Sequence, residues 1–192
     1  MKKSELGLRE KILTTAKSMF IEQGYHGLAM RQISEAVGVS KAALYYHFTD
    51  KEELFLAILN SYLNEMEASI DSIRAKEGSS TEKIYQFVEM VLSQPAEQRA
   101  LTRLGSQEMG QLSTISRKKF DKLYYEKFIG KLSAIIQEGM EHGEFRTFNT
   151  EIATWSLLGI MFPYFYPAHN DKPLTPEIIH EVVGIYLNGV KK

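Results

Sequence analysis

The chain has 192 residues, of which 44% are hydrophobic and 24% charged, and its net charge is -1, as in an ordinary soluble globular protein of one or two domains. No apolar run approaches the roughly 18 residues of a membrane span, and MKKSELGLRE carries no apolar stretch behind its two lysines, so neither membrane insertion nor secretion is expected and the location read is cytoplasmic. Zero cysteines excludes disulfides, thiolate zinc sites and thiol nucleophiles.

Leu8, Ile12, Leu13, Ala16, Met19 and Phe20 recur at three- and four-residue steps and predict a first helix stopped at Gly24. Ile33, Ala36 and Val37 make a short second stripe ended by Gly38, and Ser40 then stands as the N-cap of a third short helix running to about His47. Asp50 and Glu53 have capping-box spacing and open a long fourth helix over 51–77, with an apolar stripe from Leu54 to Ile73. Gly78-Ser79-Ser80 closes it. Further helices are expected near 81–94, 96–110, 114–142, 150–166 and 176–190, with Pro163 ending or kinking its helix near Phe162. No β alternation and no repeat is found, so the fold class read is all-α.

The segment RQISEAVGVSKAALYYHFTDKEEL carries the most chemistry. Two short helices joined by a tight Gly-Val turn on a preceding helix make a helix-turn-helix, whose second helix fits the DNA major groove. At about 100° per residue, Leu44 and Phe48 share the inward face. Ala42, Tyr45 and Tyr46 point away from it, with Lys41 and His47 at the margins. Phenolic hydroxyls and an imidazole reach phosphate oxygens, while the small Ala42 and Ala43 after the Ser40 cap let the helix approach base edges. Lys51 adds a cation beside a helix N-terminus that favours phosphate. Residues 1–51 hold eight Lys or Arg against five acids, a basic head of +3 on a body of -4.

This segment resembles the DNA-binding signature of the tetracycline-repressor (TetR) family of bacterial transcription regulators, over roughly residues 8–60. The resemblance implies an N-terminal three-helix helix-turn-helix domain joined by helix four to a helical ligand-binding and dimerisation domain, here divided as 1–50 and 51–192. It also implies a homodimer, a double-stranded DNA operator and repression relieved by a small-molecule effector, with Arg31, Lys41, Ala42, Tyr45, Tyr46, His47 and Lys51 at DNA-contact positions. Two departures stand out. Leu28, Ala29 and Met30 occupy the place where a capping Ser or Thr is common, and Thr49 stands where a lysine is common.

In the second half, Phe120, Tyr124 and Phe128 recur at four-residue steps, and Trp155, Gly159 and Phe162 share one side of the next helix. With Met66, Ile70, Tyr85 and Met109 they are expected to line an apolar, aromatic cavity, where Glu108 would orient a cationic group. Leu158, Met161, Phe165, Ile178, Val182, Ile185 and Tyr186 are expected to form a four-helix dimer seam. No enzyme is read: no catalytic residue, metal or cofactor is expected. The competing reading is a helical carboxylate metalloprotein using Glu177 and His180, but a di-iron bundle needs a second Glu-x-x-His pair and further glutamates.

Overall fold

The computed structural model describes residues 2–166 and 174–190, and no strand is found among the described residues. Helix α1 spans Lys2–Gly27, α2 Met30–Val37, α3 Lys41–His47, α4 Lys51–Arg74, α5 Ser80–Leu92 and α6 Ala96–Glu108. A 3-10 turn over Met109–Gln111 leads to α7, Thr114–Tyr124. A π turn, Tyr125–Ile129, joins α7 to α8, Gly130–Glu141. Helix α9, Thr150–Met161, ends in a 3-10 turn at Phe162–Phe165, where Pro163 removes a backbone donor, and α10 spans Pro176–Val190.

The chain divides into two compact units, one reaching to Tyr62 and including Ala100–Phe120, the other comprising Leu63–Arg99 and the chain from Asp121 onward. In the first, Ile12, Ala16 and Phe20 of α1 lie fully buried at four-residue steps. Gly24 breaks the helix at φ 71, as its place after the stripe predicts. Helix α2 turns back at Gly38, whose φ of 78 lets its amide and that of Val39 both donate to Ser34 O. Leu44 and Phe48 seat α3, and Leu54, Phe55, Ile58 and Leu59 of α4 join the same core with Leu101, Leu104 and Leu112.

In the second unit α5 packs on α8 and α10, and α9 packs on α8 and α10. The α8–α9 turn is seated through Gly139: a Cβ there would stand 2.4 Å from two ring atoms of Phe145 and 2.9 Å from Ser80 Cβ. Glu144 caps α5 by accepting from Ser80 N at 2.9 Å and Thr81 N at 3.0 Å. Gly139→Ala is therefore expected to force Phe145 out and to destabilise the protein by about 1 to 3 kcal/mol, measured by urea unfolding.

Candidate nucleic-acid interface

Ser40 caps α3 as expected, its hydroxyl accepting from Ala43 N at 3.1 Å. With Leu44 buried beneath, Lys41, Ala42, Tyr45 and Tyr46 are exposed, while Ala43 and His47 are half-buried. Tyr46 is 77% exposed against 39% for Tyr45, and its ring meets His47 edge-on at 5.3 Å. Lys41 Nζ lies 5.6 Å from the Tyr45 ring centre, which orients the ring without neutralising the cation. Arg31, Lys41, Tyr45 and Lys51 line one open groove with His26 and Gln32. Arg31 is exposed and pairs with Glu35 at 2.7 Å.

Local hydrogen bonds are made at both departures from the motif. Ala29 offers no side-chain acceptor at the start of α2, and Gln32 Oε1 takes Ala29 N instead at 2.7 Å. Thr49 donates through both N and Oγ1 to Glu53 Oε2, at 2.7 Å each, while Glu53 N donates to Asp50 Oδ1 at 2.8 Å, so the start of α4 carries a reciprocal cap.

Lys51 has a second attachment that sequence reasoning missed. Its Nζ donates to Tyr25 O at 2.8 Å and Leu28 O at 3.0 Å, and sits 4.3 Å from the Tyr25 ring centre. An ammonium has three donors, so one remains for a phosphate. Glu108, expected beside an effector, instead accepts from Tyr25 N at 3.3 Å. His26 Nε2 is hydrogen-bonded to Gln111 Oε1. Glu52 accepts from Ser113 Oγ at 2.7 Å and Ser113 N at 2.9 Å. The chain from Tyr25 to Leu28, past the Gly24 kink, is thus held from α4, from the end of α6 and from the 3-10 turn after it, all within the first unit.

Hydrogen bonds from the Ser116 hydroxyl and from Ser113 hold the Glu52 carboxyl below its ordinary range, against a small opposing effect of burial. A depressed carboxylate stabilises fully above its unfolded value, about 4.3, and loses that contribution as pH falls through the folded value. Glu52→Gln is expected to cost about 1 kcal/mol at neutral pH, the scale of a lost cap. The gap to wild type should hold in urea unfolding from pH 7 to about pH 4.3 and close below that, as pH falls through the lowered folded value.

The expected effector lining divides between the two units. Met66, Ile70 and Phe128 are buried in the second unit, Phe128 against Phe87 at 6.0 Å and Tyr124 at 5.2 Å, while the Tyr85 ring lies 5.8 Å from that of His180 at a tilt of 60°. Met109 and Phe120 pack partly buried against the core of the first unit. Trp155 and Gly159 lie on the exposed face of α9 and Phe162 is exposed in the turn after it; they line no interior wall among the described residues, because Ala153, Leu157 and Met161 supply the buried side of α9. The expected seam shifts in the same way: Met161, Phe165, Val182 and Tyr186 are buried within the chain, the Tyr186 hydroxyl donating to Ala153 O at 3.2 Å. Leu158 is half-buried. Ile152, Trp155, Phe162, Ile178 and Ile185 are exposed. For the metal reading, the Glu177 carboxylate accepts from the Thr175 hydroxyl and His180 faces Tyr85; no group of three potential ligands is found among the described residues.

Comparison with known proteins bears on this geometry. Residues 12–58 match the bacterial regulatory proteins of the tetR family, and residues 77–164 match the tetracyclin repressor-like C-terminal domain. The chain is 29% identical to the HTH-type transcriptional regulator QacR of Staphylococcus aureus over 194 residues, covering 97% of this chain and 100% of that protein. It is 46% identical over 56 residues to the HTH-type transcriptional repressor AcnR of Corynebacterium diphtheriae, 29% of this chain and 30% of that one. Its structure is similar to the TetR-family regulator PfmR of Thermus thermophilus, with a TM-score of 0.80, 26% identity and coverage of 94% and 99%. AibR, solved in complex with isovaleryl coenzyme A and operator DNA, shares the fold at a TM-score of 0.76 and 23% identity, with coverage of 93% and 97%.

Proposed function

We propose that this chain, which belongs to the tetR family of bacterial regulatory proteins, is a cytoplasmic transcriptional repressor that binds a palindromic operator as a homodimer and is released by a small, largely apolar or aromatic effector. The observation that carries the reading is the α3 face, where Lys41, Ala42, Tyr45 and Tyr46 stand exposed over a fully buried Leu44. A short helix with small residues and polar-tipped rings outward is shaped for a major groove, with phosphate contacts at its margins. DNA reading is assigned to residues 1–50, and effector binding and dimerisation to 51–192. The effector is assigned to Met66, Ile70, Tyr85, Tyr124 and Phe128 of the second unit. AibR, with an acyl coenzyme A and DNA in one complex, supports pairing of the two ligand types on this fold. The chain carries no helix long and apolar enough to cross a membrane among the described residues.

The test is selection of DNA from a random pool by the purified protein. A palindrome with half-site centres about 34 to 36 Å apart, or a multiple of that, is expected. An asymmetric site or no enrichment overturns the reading. On the selected site Lys41→Ala should cost about 1 to 3 kcal/mol and relax sequence preference. Lys51→Ala should weaken selected and random DNA alike, and it should also lower the melting temperature, because it frees the carbonyls of Tyr25 and Leu28.

A further inference from the structure

Arg117, Lys118 and Lys119 are consecutive on α7, and no acidic residue occurs from Met109 to Phe120. All three are exposed, and their side chains have no hydrogen-bond or ion-pair partner among the described residues. Their helix starts at the rim of the groove assigned to DNA. Gln111 is bonded to His26, which lines that groove, and Ser113 is clamped by Glu52, the neighbour of the groove residue Lys51. At 1.5 Å rise per residue, the three cations lie about 6 to 9 Å along α7 from Ser113, and long side chains extend that reach.

We infer that Arg117, Lys118 and Lys119 form a second, sequence-independent DNA contact, to phosphates that flank each half-site. The inference rests on the DNA-binding reading above. Duplex DNA carries one negative charge per about 1.7 Å and continues past the base pairs that α3 reads, so it meets the charge of this run and is continuous with the groove. A contact made by cations one to two turns along α7 from Ser113, and not by α3, reaches backbone and not base edges, so it adds affinity without changing the preferred sequence. Each phosphate so neutralised steepens the salt dependence by about 0.9.

The test compares two duplexes by fluorescence anisotropy: the palindrome selected from the random pool, trimmed to its half-sites, and the same site extended by about 10 base pairs on each side. Wild type is expected to bind the extended duplex roughly tenfold tighter at low salt, with a slope steeper by about two units or more. The variant Arg117→Ala/Lys118→Ala/Lys119→Ala should bind the trimmed duplex as wild type does and lose the gain from the flanks. Lys118→Arg/Lys119→Arg should keep it. A wild type indifferent to the flanks, an alanine variant that keeps the gain, or one that loses both duplexes equally would overturn the inference. So would retention on anionic phospholipid vesicles without any flank effect, which would assign the run to a membrane surface. If wild type binds neither duplex, the DNA-binding reading itself falls, and this inference with it.

Discussion

Phe20→Ala is expected to destabilise the protein by about 3 to 5 kcal/mol and to abolish specific DNA binding at physiological temperature. Phe20 is fully buried, its ring edge-on to Phe55 at 5.1 Å and stacked on Tyr25 at 6.0 Å. Removing it takes away the apolar burial and both ring contacts, and leaves a cavity between α1 and α4. A domain holds only about 5 to 15 kcal/mol in total, so the loss is a large share. It also falls where function is concentrated, since Tyr25 supplies the carbonyl that holds Lys51 and the amide that donates to Glu108. Phe20→Leu, which keeps most of the volume, should cost less than about 1.5 kcal/mol and leave operator affinity near wild type. Urea unfolding followed by circular dichroism measures both. A Phe20→Ala loss below about 1 kcal/mol would mean that the ring is not part of the packing that positions α3.

Trp155→Glu and Ile185→Glu are each expected to break the proposed dimer. In this chain Trp155 is 48% exposed and Ile185 68% exposed, on the outward faces of α9 and α10 with Ile152, Phe162 and Ile178. So much outward apolar surface on two long helices is the composition of an interface core. A two-fold seam would present each new carboxylate twice, desolvated and unpaired, at a cost of about 2 to 4 kcal/mol or more for a central aromatic. Light scattering should then report 21.9 kDa where wild type reports twice that mass. Operator affinity should fall by about 10² or more, because two linked half-site contacts become one. The single tryptophan gives an independent readout, its emission moving to longer wavelength in Ile185→Glu as water reaches Trp155. Tyr125→Glu, at an exposed ring in the π turn, should leave mass and affinity unchanged. A Trp155→Glu protein that stays dimeric at micromolar concentration would place the seam elsewhere.

The sequence by itself determined the helices and the reading motif, because both are written in local spacing. Stripes at three- and four-residue steps, Gly24 and Gly38 at the turns, Ser40 at a cap and Pro163 at a helix end act within one or two turns of chain, and the structure has each of them. The outward set on α3 was legible for the same reason, since Leu44 and Phe48 set the phase of a seven-residue helix. Tertiary structure decided everything that depends on a partner far along the chain. Glu108 meets Tyr25 across 83 residues, and no local pattern marks that pair, so its carboxylate could be assigned to an effector only until its partner was seen. Lys51 is legible in the sequence only as a phosphate contact, whereas the carbonyls of Tyr25 and Leu28 that also hold it come from 26 and 23 residues away. The assignment of Trp155, Gly159 and Phe162 failed for a different physical reason. Helix α9 is apolar on nearly every side, so its hydrophobic pattern has no phase. Only the packing of Ala153, Leu157 and Met161 into the second unit shows which side was left facing outward.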